Sequence, residues 1–321
     1  MSWIGIDIAK RSFTAAQRCS QHLTIETFPM TVAGWRSFCQ WAPEDGFQVC
    51  LEATGPYWLR LAHWLEQAAV PCSVANPRNV RRFAQASEQL SKTDPIDAEI
   101  LLRFAETFQP SQISPTTGPS RALRAVSRRI LQLQMELDRD RDRLEKAQAD
   151  PATPEVVLNS HAVLHNELRR LIDDLEHQAK RLIREHSDLR PAYQLLLSIP
   201  SIGEKTARTL LAEYGPRLLS ASPKQMTRFA GLDVVLYESG TSVRRKPRIS
   251  KHGNWRLRRA LYLAALSAIR FNPTLAPFYQ RKLQQGLQPK QALVAVMRKL
   301  LHLVHGVLKH QNPYDPEYKL T

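Results

Sequence analysis

The chain has 321 residues, is 43% hydrophobic and carries a formal net charge of +15, so it is long enough for two compact domains and a connecting element. The four cysteines form no CxxC pair and have no histidines at zinc spacing, which excludes a disulfide-stapled module and a zinc knuckle. Neither a signal-peptide pattern nor an apolar run of about 18 residues stands out, so we expect a soluble, cytoplasmic protein without a membrane segment.

The first 112 residues alternate short apolar runs with helical patterns. Five runs predict β-strands, at residues 3–8, 13–18, 23–28, 47–53 and 72–75. Three stretches have helical periodicity, at residues 32–41, 57–69 and 94–108. A three-strand meander followed by alternating helix and strand predicts an α/β domain with a mixed sheet over residues 1–112.

Residues 113–189 predict a coiled-coil arm made of two helices. Apolar residues recur there at spacings of three, four and seven, at Leu123, Val126, Ile130, Leu133, Leu137, Leu144, Leu164, Leu168, Leu171, Leu175 and Leu182. A break containing Pro151 and Pro154 separates the two runs. Because two helices alone bury such a seam poorly, we expect the arm to pair with another protomer.

Residues 190–321 predict a basic helical domain with a loop-rich insertion at residues 231–254. This domain holds 22 Lys and Arg against 6 Asp and Glu, whereas residues 1–189 hold 23 against 24. A one-sided positive charge of this kind indicates phosphate binding, since each cation set against a phosphate releases counterions. A basic surface kept only for solubility is the alternative.

A helix-hairpin-helix element is predicted at the start of this domain. Residues 195–213 contain a turn with Gly203 between two apolar helical segments, whose backbone N–H groups could hold a DNA phosphate. Ser201 stands where such hairpins usually have their first glycine. An ordinary pair of helices joined by a turn is the alternative.

Four carboxylates in the N-terminal domain are the candidate catalytic and metal-binding residues. Asp7 and Glu52 each lie in or at the end of an apolar strand, where a charge costs free energy unless it is paired or binds a cation. Asp94 and Asp97 share one face at the start of a helix, where the alternative role is capping. Four acids without matching bases favour Mg²⁺ or Mn²⁺ among them, as in sites that act on phosphodiesters.

The insertion at residues 231–254 places a serine among many basic residues. Ser239 precedes Gly240, and the serine could attack phosphorus to form a phosphoserine link. Ser242 and Ser250 are rival candidates for this role. The predicted nucleic-acid-binding residues are Arg244, Arg245, Lys246, Arg248, Lys251, Arg256, Arg258 and Arg259.

Taken together and in this order, these motifs resemble the DEDD transposases, the family of Piv-type invertases and bridge-RNA-guided insertion-sequence recombinases. The motifs are residues 5–7, 51–55, 92–98, 239–240 and 249–259. The resemblance implies an RNase H-like domain of the resolvase type, a coiled-coil arm and a helical transposase domain. It also implies that Asp7, Glu52, Asp94 and Asp97 bind Mg²⁺ and that Ser239 forms a 5′-phosphoserine.

For partners, the resemblance implies donor and target double-stranded DNA, a structured guide RNA, and homodimers that assemble into homotetramers in the bacterial cytoplasm, at the nucleoid. One protomer's acids would complete another's serine site. Two other functions stay open on the residues alone. The first is a resolvase-like endonuclease in which a metal-activated water makes the attack. The second is a non-catalytic nucleic-acid-binding scaffold whose acids only cap and pair.

Overall fold

The computed structural model describes residues 2–19, 22–53, 55, 57–89, 91, 93–112, 118–239 and 243–317. The chain divides into two compact units, Met1–Pro115 and Thr116–Thr321. The helices of the predicted arm therefore belong to the same unit as the basic C-terminal helices. The three-part division made from the sequence stays a prediction.

The first unit is built on a mixed five-stranded sheet. Its strands are β1 (Ser2–Ile8), β2 (Ser12–Cys19), β3 (His22–Pro29), β4 (Phe47–Glu52) and β5 (Cys72–Ala75), in the order β3-β2-β1-β4-β5. The meander β1-β2-β3 is antiparallel, whereas β4 and β5 run parallel to β1. The prediction of a mixed sheet with a leading meander is confirmed, because the short turns after β1 and β2 permit only antiparallel pairing.

Helices cover both faces of this sheet. Helices α1 (Val32–Trp41) and α2 (Trp58–Gln67) pack on one face, where Ile4, Ile6 and Leu51 belong to the same buried cluster. Helices α3 (Pro77–Ala86) and α4 (Asp94–Phe108) pack on the other face, around Cys50 and Leu101. The helix predicted at residues 94–108 is confirmed, but α3 was not predicted, because only one of its residues, Val80, is fully buried.

Gly5 sets how closely α4 approaches the sheet. A Cβ atom at this position would lie 2.2 Å from the backbone nitrogen of Leu102 and 2.3 Å from the carbonyl oxygen of Ala98. Only a residue without a side chain permits this contact between β1 and the backbone of α4. The start of α4 is thereby held against the end of β1.

The second unit begins with two long helices, α5 (Pro119–Ala149) and α6 (Glu155–Glu185), at the position of the predicted arm. The turn between them falls at the break predicted from Pro151 and Pro154. Five of the predicted seam residues are buried, namely Leu123, Ile130, Leu133, Leu137 and Leu168. The prediction is wrong for Leu164, which is exposed, because the buried face of α6 is formed instead by residues such as Ile172 and Ile183. The pairing of this arm with another protomer stays a prediction.

The rest of the second unit is a helical cluster with one hairpin. Its helices are α7 (Arg190–Leu197), α8 (Glu204–Tyr214), α9 (Arg217–Ser220), α10 (Pro223–Phe229), α11 (Trp255–Phe271), α12 (Leu275–Gln284) and α13 (Pro289–His310). The predicted turn between apolar helices lies between α7 and α8, where Ser201 takes a φ of +86°. Asn272 donates a 2.9 Å hydrogen bond to the carbonyl of Pro200 and fixes this turn from outside.

Two expectations from the sequence need correction here. The insertion at residues 231–254 is largely a two-stranded antiparallel hairpin, β6 (Val234–Ser239) and β7 (Val243–Ile249), and not a loop. Among the described residues, one helix, α13, is long and apolar enough to cross a bilayer by length and composition, although no such run was expected. Leu300, Leu301 and Val304 of α13 are fully buried in the helical core. This burial is what is expected of the core helix of a globular domain.

Candidate active site

Asp7 and Glu52 lie side by side at the carboxyl ends of adjacent parallel strands. The register pairs Gly5 with Cys50 and Ile6 with Leu51, so the next positions in line are Asp7 and Glu52. Side chains alternate along a strand, and Gly5 and Cys50 face α3 and α4. Two residues further along, both carboxylates therefore project to the face that α4 covers.

The other two acids occupy the first turn of α4. The N-cap is Thr93, whose side chain makes no capping hydrogen bond, and Asp94 is already inside the helix with Pro95 after it. The alternative in which Asp94 acts as the N-cap is therefore wrong. Asp97 lies next to Ala98, whose carbonyl touches the backbone of β1 at Gly5. The close approach of α4 at Gly5 thus brings Asp94 and Asp97 towards Asp7.

The pKa of Asp7 is influenced by the other three acids. The pKa of Asp7 is raised from 3.8 to about 6, first by burial and then by the negative charges of Asp97, Asp94 and Glu52. The backbone N–H of Ile8 bonds to the carboxylate and acts in the opposite direction. Partial burial together with three like charges disfavours ionised Asp7, and a cation at this edge would favour it.

Within the described part of the chain, no group of three or more His, Cys, Asp or Glu side chains is packed tightly enough to hold a metal ion as it stands. The negative charges of the other three acids raise the pKa of Asp7, but no three of the described acids are drawn together into a coordination shell. Carboxylate oxygens are nevertheless the ligands that Mg²⁺ and Mn²⁺ prefer. The chemistry of the donor set therefore fits a hard divalent cation.

Ser239 ends strand β6 in the second unit. It pairs with Val243 at the tip of the hairpin, and the register shifts between Val235 and Tyr237. The rival Ser242 lies outside the described residues, as do the side chains of Ser239, Arg244, Arg245 and Lys246. The backbone register places Arg244 opposite Glu238 and Arg245 opposite Tyr237, so these basic residues lie one and two pairs along the hairpin from Ser239.

The base of the hairpin is clamped by two glycines. A Cβ atom on Gly253 would lie 2.4 Å from the backbone nitrogen of Gly231, so the two segments touch through their backbones. The hydroxyl of Ser250 donates a 2.5 Å hydrogen bond to Asp233 and accepts one from the N–H of His252. Ser250 is thus occupied in closing the hairpin, which favours Ser239 over it as a nucleophile.

Five of the predicted nucleic-acid-binding residues have described side chains. Arg256 is half-buried, with its guanidinium over the ring of Trp255, 4.9 Å from the ring centroid. Arg248, Lys251 and Arg259 are exposed to solvent. Arg258 instead donates hydrogen bonds of 2.9 and 3.1 Å to the carbonyls of Ala230 and Gly253, and burial lowers its pKa. Its position indicates that Arg258 stabilises the base of the hairpin.

A buried ion pair, which the sequence did not reveal, connects the hairpin segment to the long helix α5. Glu213 of α8 accepts two 2.8 Å hydrogen bonds from Arg128 and one of 2.6 Å from Asn254. The Glu213 side chain is 1% exposed, and its pKa is lowered although burial, the largest single influence, acts to raise it. The bonds from Arg128 and Asn254 therefore outweigh burial and hold Glu213 ionised.

Comparison with known proteins supplies the family. A model described as "Transposase" for the DEDD transposases of IS110 elements matches residues 4–148, and one described as "Transposase IS116/IS110/IS902 family" matches residues 193–280. The chain belongs to the IS110 transposase family. It is accordingly an enzyme that acts on DNA, in a family of transposases and DNA invertases.

Among the relatives of this transposase, the pilin gene-inverting protein of Moraxella bovis is 29% identical over 98% of both chains. The pilin gene-inverting protein of Moraxella lacunata shows the same identity and coverage. An uncharacterised 43.6 kDa protein of insertion element IS110 from Streptomyces coelicolor is 28% identical over 44% of this chain and 34% of its own length.

The two matched segments divide the candidate site residues between them. All four acids fall within residues 4–148, and Ser239 with the eight basic residues falls within residues 193–280. Membership of the DEDD transposases suggests dependence on a divalent metal ion.

Proposed function

We propose that this transposase is a site-specific DNA recombinase of an insertion sequence, in which Asp7, Glu52, Asp94 and Asp97 hold Mg²⁺ or Mn²⁺ and Ser239 is the nucleophile. The observation that carries the proposal is the raised pKa of Asp7, caused by its burial and by the three other carboxylates. A site that repels its own charges in this way is suited to binding a cation. When bound, the metal would supply Lewis-acid activation of a phosphodiester.

The strand order β3-β2-β1-β4-β5, with its antiparallel meander and two parallel strands, supports an RNase H-like arrangement for the first unit. In open sheets with parallel strands, functional groups gather beyond the carboxyl ends of those strands. The positions of Asp7, the penultimate residue of β1, and Glu52, the last residue of β4, support a functional site at this edge. The pair α5 and α6 likewise supports a coiled-coil arm, and the turn between α7 and α8 supports a helix-hairpin-helix element.

The covalent step assigned to Ser239 exchanges one phosphoester bond for another. The serine oxygen forms a bond to phosphorus, the bond from phosphorus to the 3′ oxygen breaks, and the hydroxyl proton is transferred in net terms to that 3′ oxygen. The product is a 5′-phosphoserine and a free 3′ hydroxyl. The energy of the phosphodiester is conserved, so the strand can be joined to a new 3′ end.

The partners we propose are donor and target double-stranded DNA and a structured guide RNA encoded with the element. The protein would work as homodimers that assemble into homotetramers, in the bacterial cytoplasm at the nucleoid. The excess of positive charge in residues 190–321 supports binding of nucleic acid. Inversion of DNA, which the names of the Moraxella relatives describe for those proteins, is a recombination outcome that the same chemistry would permit.

The decisive experiment is covalent trapping. Wild-type protein incubated with a nicked donor site, labelled at the 3′ end of the cleaved strand, and Mg²⁺ should yield a labelled protein–DNA adduct that survives denaturing electrophoresis. Ser239→Ala should yield none, whereas Ser250→Ala should still form it if the protein is folded. Hydrolysed ends with no adduct in wild type would instead support the endonuclease that uses water. Retention of the adduct in Ser239→Ala would overturn the assignment of the nucleophile.

A further inference from the structure

Helix α3 has one packed side and one strongly basic side. Val80 is buried in the cluster between α3 and α4, and Phe83 makes an edge-to-face contact with Phe104, their ring centroids lying 5.8 Å apart. Arg78, Arg81 and Arg82 lie away from this contact and are exposed to solvent. The helix is thereby fixed to the first unit with its arginines outward.

The helix begins at the edge of the sheet that carries the acids. Strand β5 ends at Ala75, which pairs with Glu52, so the chain leaves the sheet beside that carboxylate. Asn76 caps the helix by accepting a 3.0 Å hydrogen bond from the N–H of Arg78. Arg78 is therefore only three positions beyond the register partner of Glu52, and Arg82 follows one turn later.

This concentration of arginine stands out against the charge of the first unit. Residues 1–115 contain 10 Lys and Arg and 11 Asp and Glu, and three of those ten fall within positions 78–82. None of the three forms an ion pair with a described side chain. Like charges three and four residues apart on one helix destabilise it slightly, so a structural role does not account for them.

We propose that the exposed arginines of α3 bind phosphates of the DNA strand that enters the site of the four acids. Arginine is suited to this task, because its planar guanidinium pairs with two phosphate oxygens at once. The acids would repel that strand in the absence of nearby cations, and α3 supplies positive charge at the same sheet edge. This inference rests on the proposed function of that edge and adds a second DNA-binding surface to the basic second unit.

The test is the salt dependence of DNA binding by the full-length protein. A double variant, Arg78→Gln with Arg82→Gln, is compared with a matched control, Arg36→Gln with Arg60→Gln. The control arginines are equally exposed but belong to α1 and α2, on the opposite face of the sheet. Binding of labelled duplex DNA is measured in EDTA across a series of KCl concentrations, and thermal melts establish that both variants are folded.

The α3 variant should bind DNA more weakly, and the slope of log K against log salt should fall by about 2, one for each lost phosphate contact. The control variant should keep the wild-type slope. An unchanged slope in the α3 variant or an equal loss in the control would overturn the inference.

Failure of this inference can be separated from failure of the proposed function. Asp7→Asn should abolish DNA cleavage in Mg²⁺ without weakening DNA binding in EDTA. If Asp7→Asn is inactive while the α3 variant keeps its full salt slope, only the role of α3 is wrong. If Asp7→Asn still cleaves while the α3 variant binds more weakly, the metal site is wrong and the basic surface stands.

Discussion

Replacing Asp7 with Asn should stabilise the metal-free protein at neutral pH. A pKa raised from 3.8 to about 6 means that the ionised carboxylate is less favourable in the folded than in the unfolded state. At about 1.4 kcal/mol per pKa unit this amounts to about 3 kcal/mol. Because Asp7 is only partly buried, water screens part of the interaction, and we expect a gain of about 1–2 kcal/mol.

The pH dependence of this gain follows from the direction of the change in pKa. Above about pH 6 the folded wild type carries the full penalty of the ionised carboxylate. As the pH falls from about 6 to about 4, folded Asp7 takes up its proton before the unfolded chain does, and the penalty disappears. Asparagine stays neutral throughout, so the advantage of Asp7→Asn should be full at pH 7.5 and largely lost near pH 4.

Thermal unfolding in EDTA followed by circular dichroism measures the effect. For a unit of this size the gain corresponds to a rise in melting temperature of about 4–8 °C at pH 7.5. Asp45→Asn, an exposed carboxylate in the turn before β4, is the matched control and should leave the melting temperature unchanged. Addition of Mg²⁺ should stabilise the wild type more than Asp7→Asn. An Asp7→Asn protein no more stable than wild type at pH 7.5, or equally stabilised at pH 4, would refute the reasoning.

Three further substitutions test the architecture. Gly5→Ala should lower the free energy of unfolding by about 1–3 kcal/mol and reduce DNA cleavage, because the new methyl group forces α4 away from β1. The free energy is measured by chemical denaturation. Gly306→Ala is the control, since the space at its Cβ position is open. Ser201→Gly should raise the free energy of unfolding by about 1 kcal/mol, since glycine takes the positive φ without strain, and a lower value would contradict that account. Glu213→Gln should lower the free energy of unfolding by about 2–3 kcal/mol, as measured by urea titration. The expected loss is small for a buried ion pair, because the Arg128 side chain is 41% exposed.

Several elements were decided by local sequence alone. The helices at residues 32–41 and 94–108 and the strand at residues 72–75 have the predicted limits, because their apolar spacing and flanking turn residues agree with the environment they meet. The same holds for the break between α5 and α6, where proline cannot continue a helix. Where helix or strand propensity, apolar spacing and turn residues all favour the same element, tertiary contacts do not alter its limits.

Tertiary structure decided what local patterns leave open. The hairpin of β6 and β7 was not predicted because Val234, Leu236 and Tyr237 are all exposed, so no alternation of buried and exposed residues marks the strands. Helix α3 was not predicted for the same reason, as it buries one residue and exposes its arginines. In both cases pairing or packing with a partner element, and not the segment's own pattern, fixes the conformation.

The sequence by itself determined that Asp7 and Glu52 are carboxylates in or at the end of apolar strands. A charge there costs free energy unless it is paired or binds a cation. The sequence could not determine that the two carboxylates adjoin, because adjacency depends on the parallel register of β1 with β4, which joins residues 45 positions apart in the chain. The approach of Asp94 and Asp97 depends in turn on the contact of α4 with Gly5. Register and helix packing are set by long-range burial on both faces of the sheet, and that information lies in no single segment.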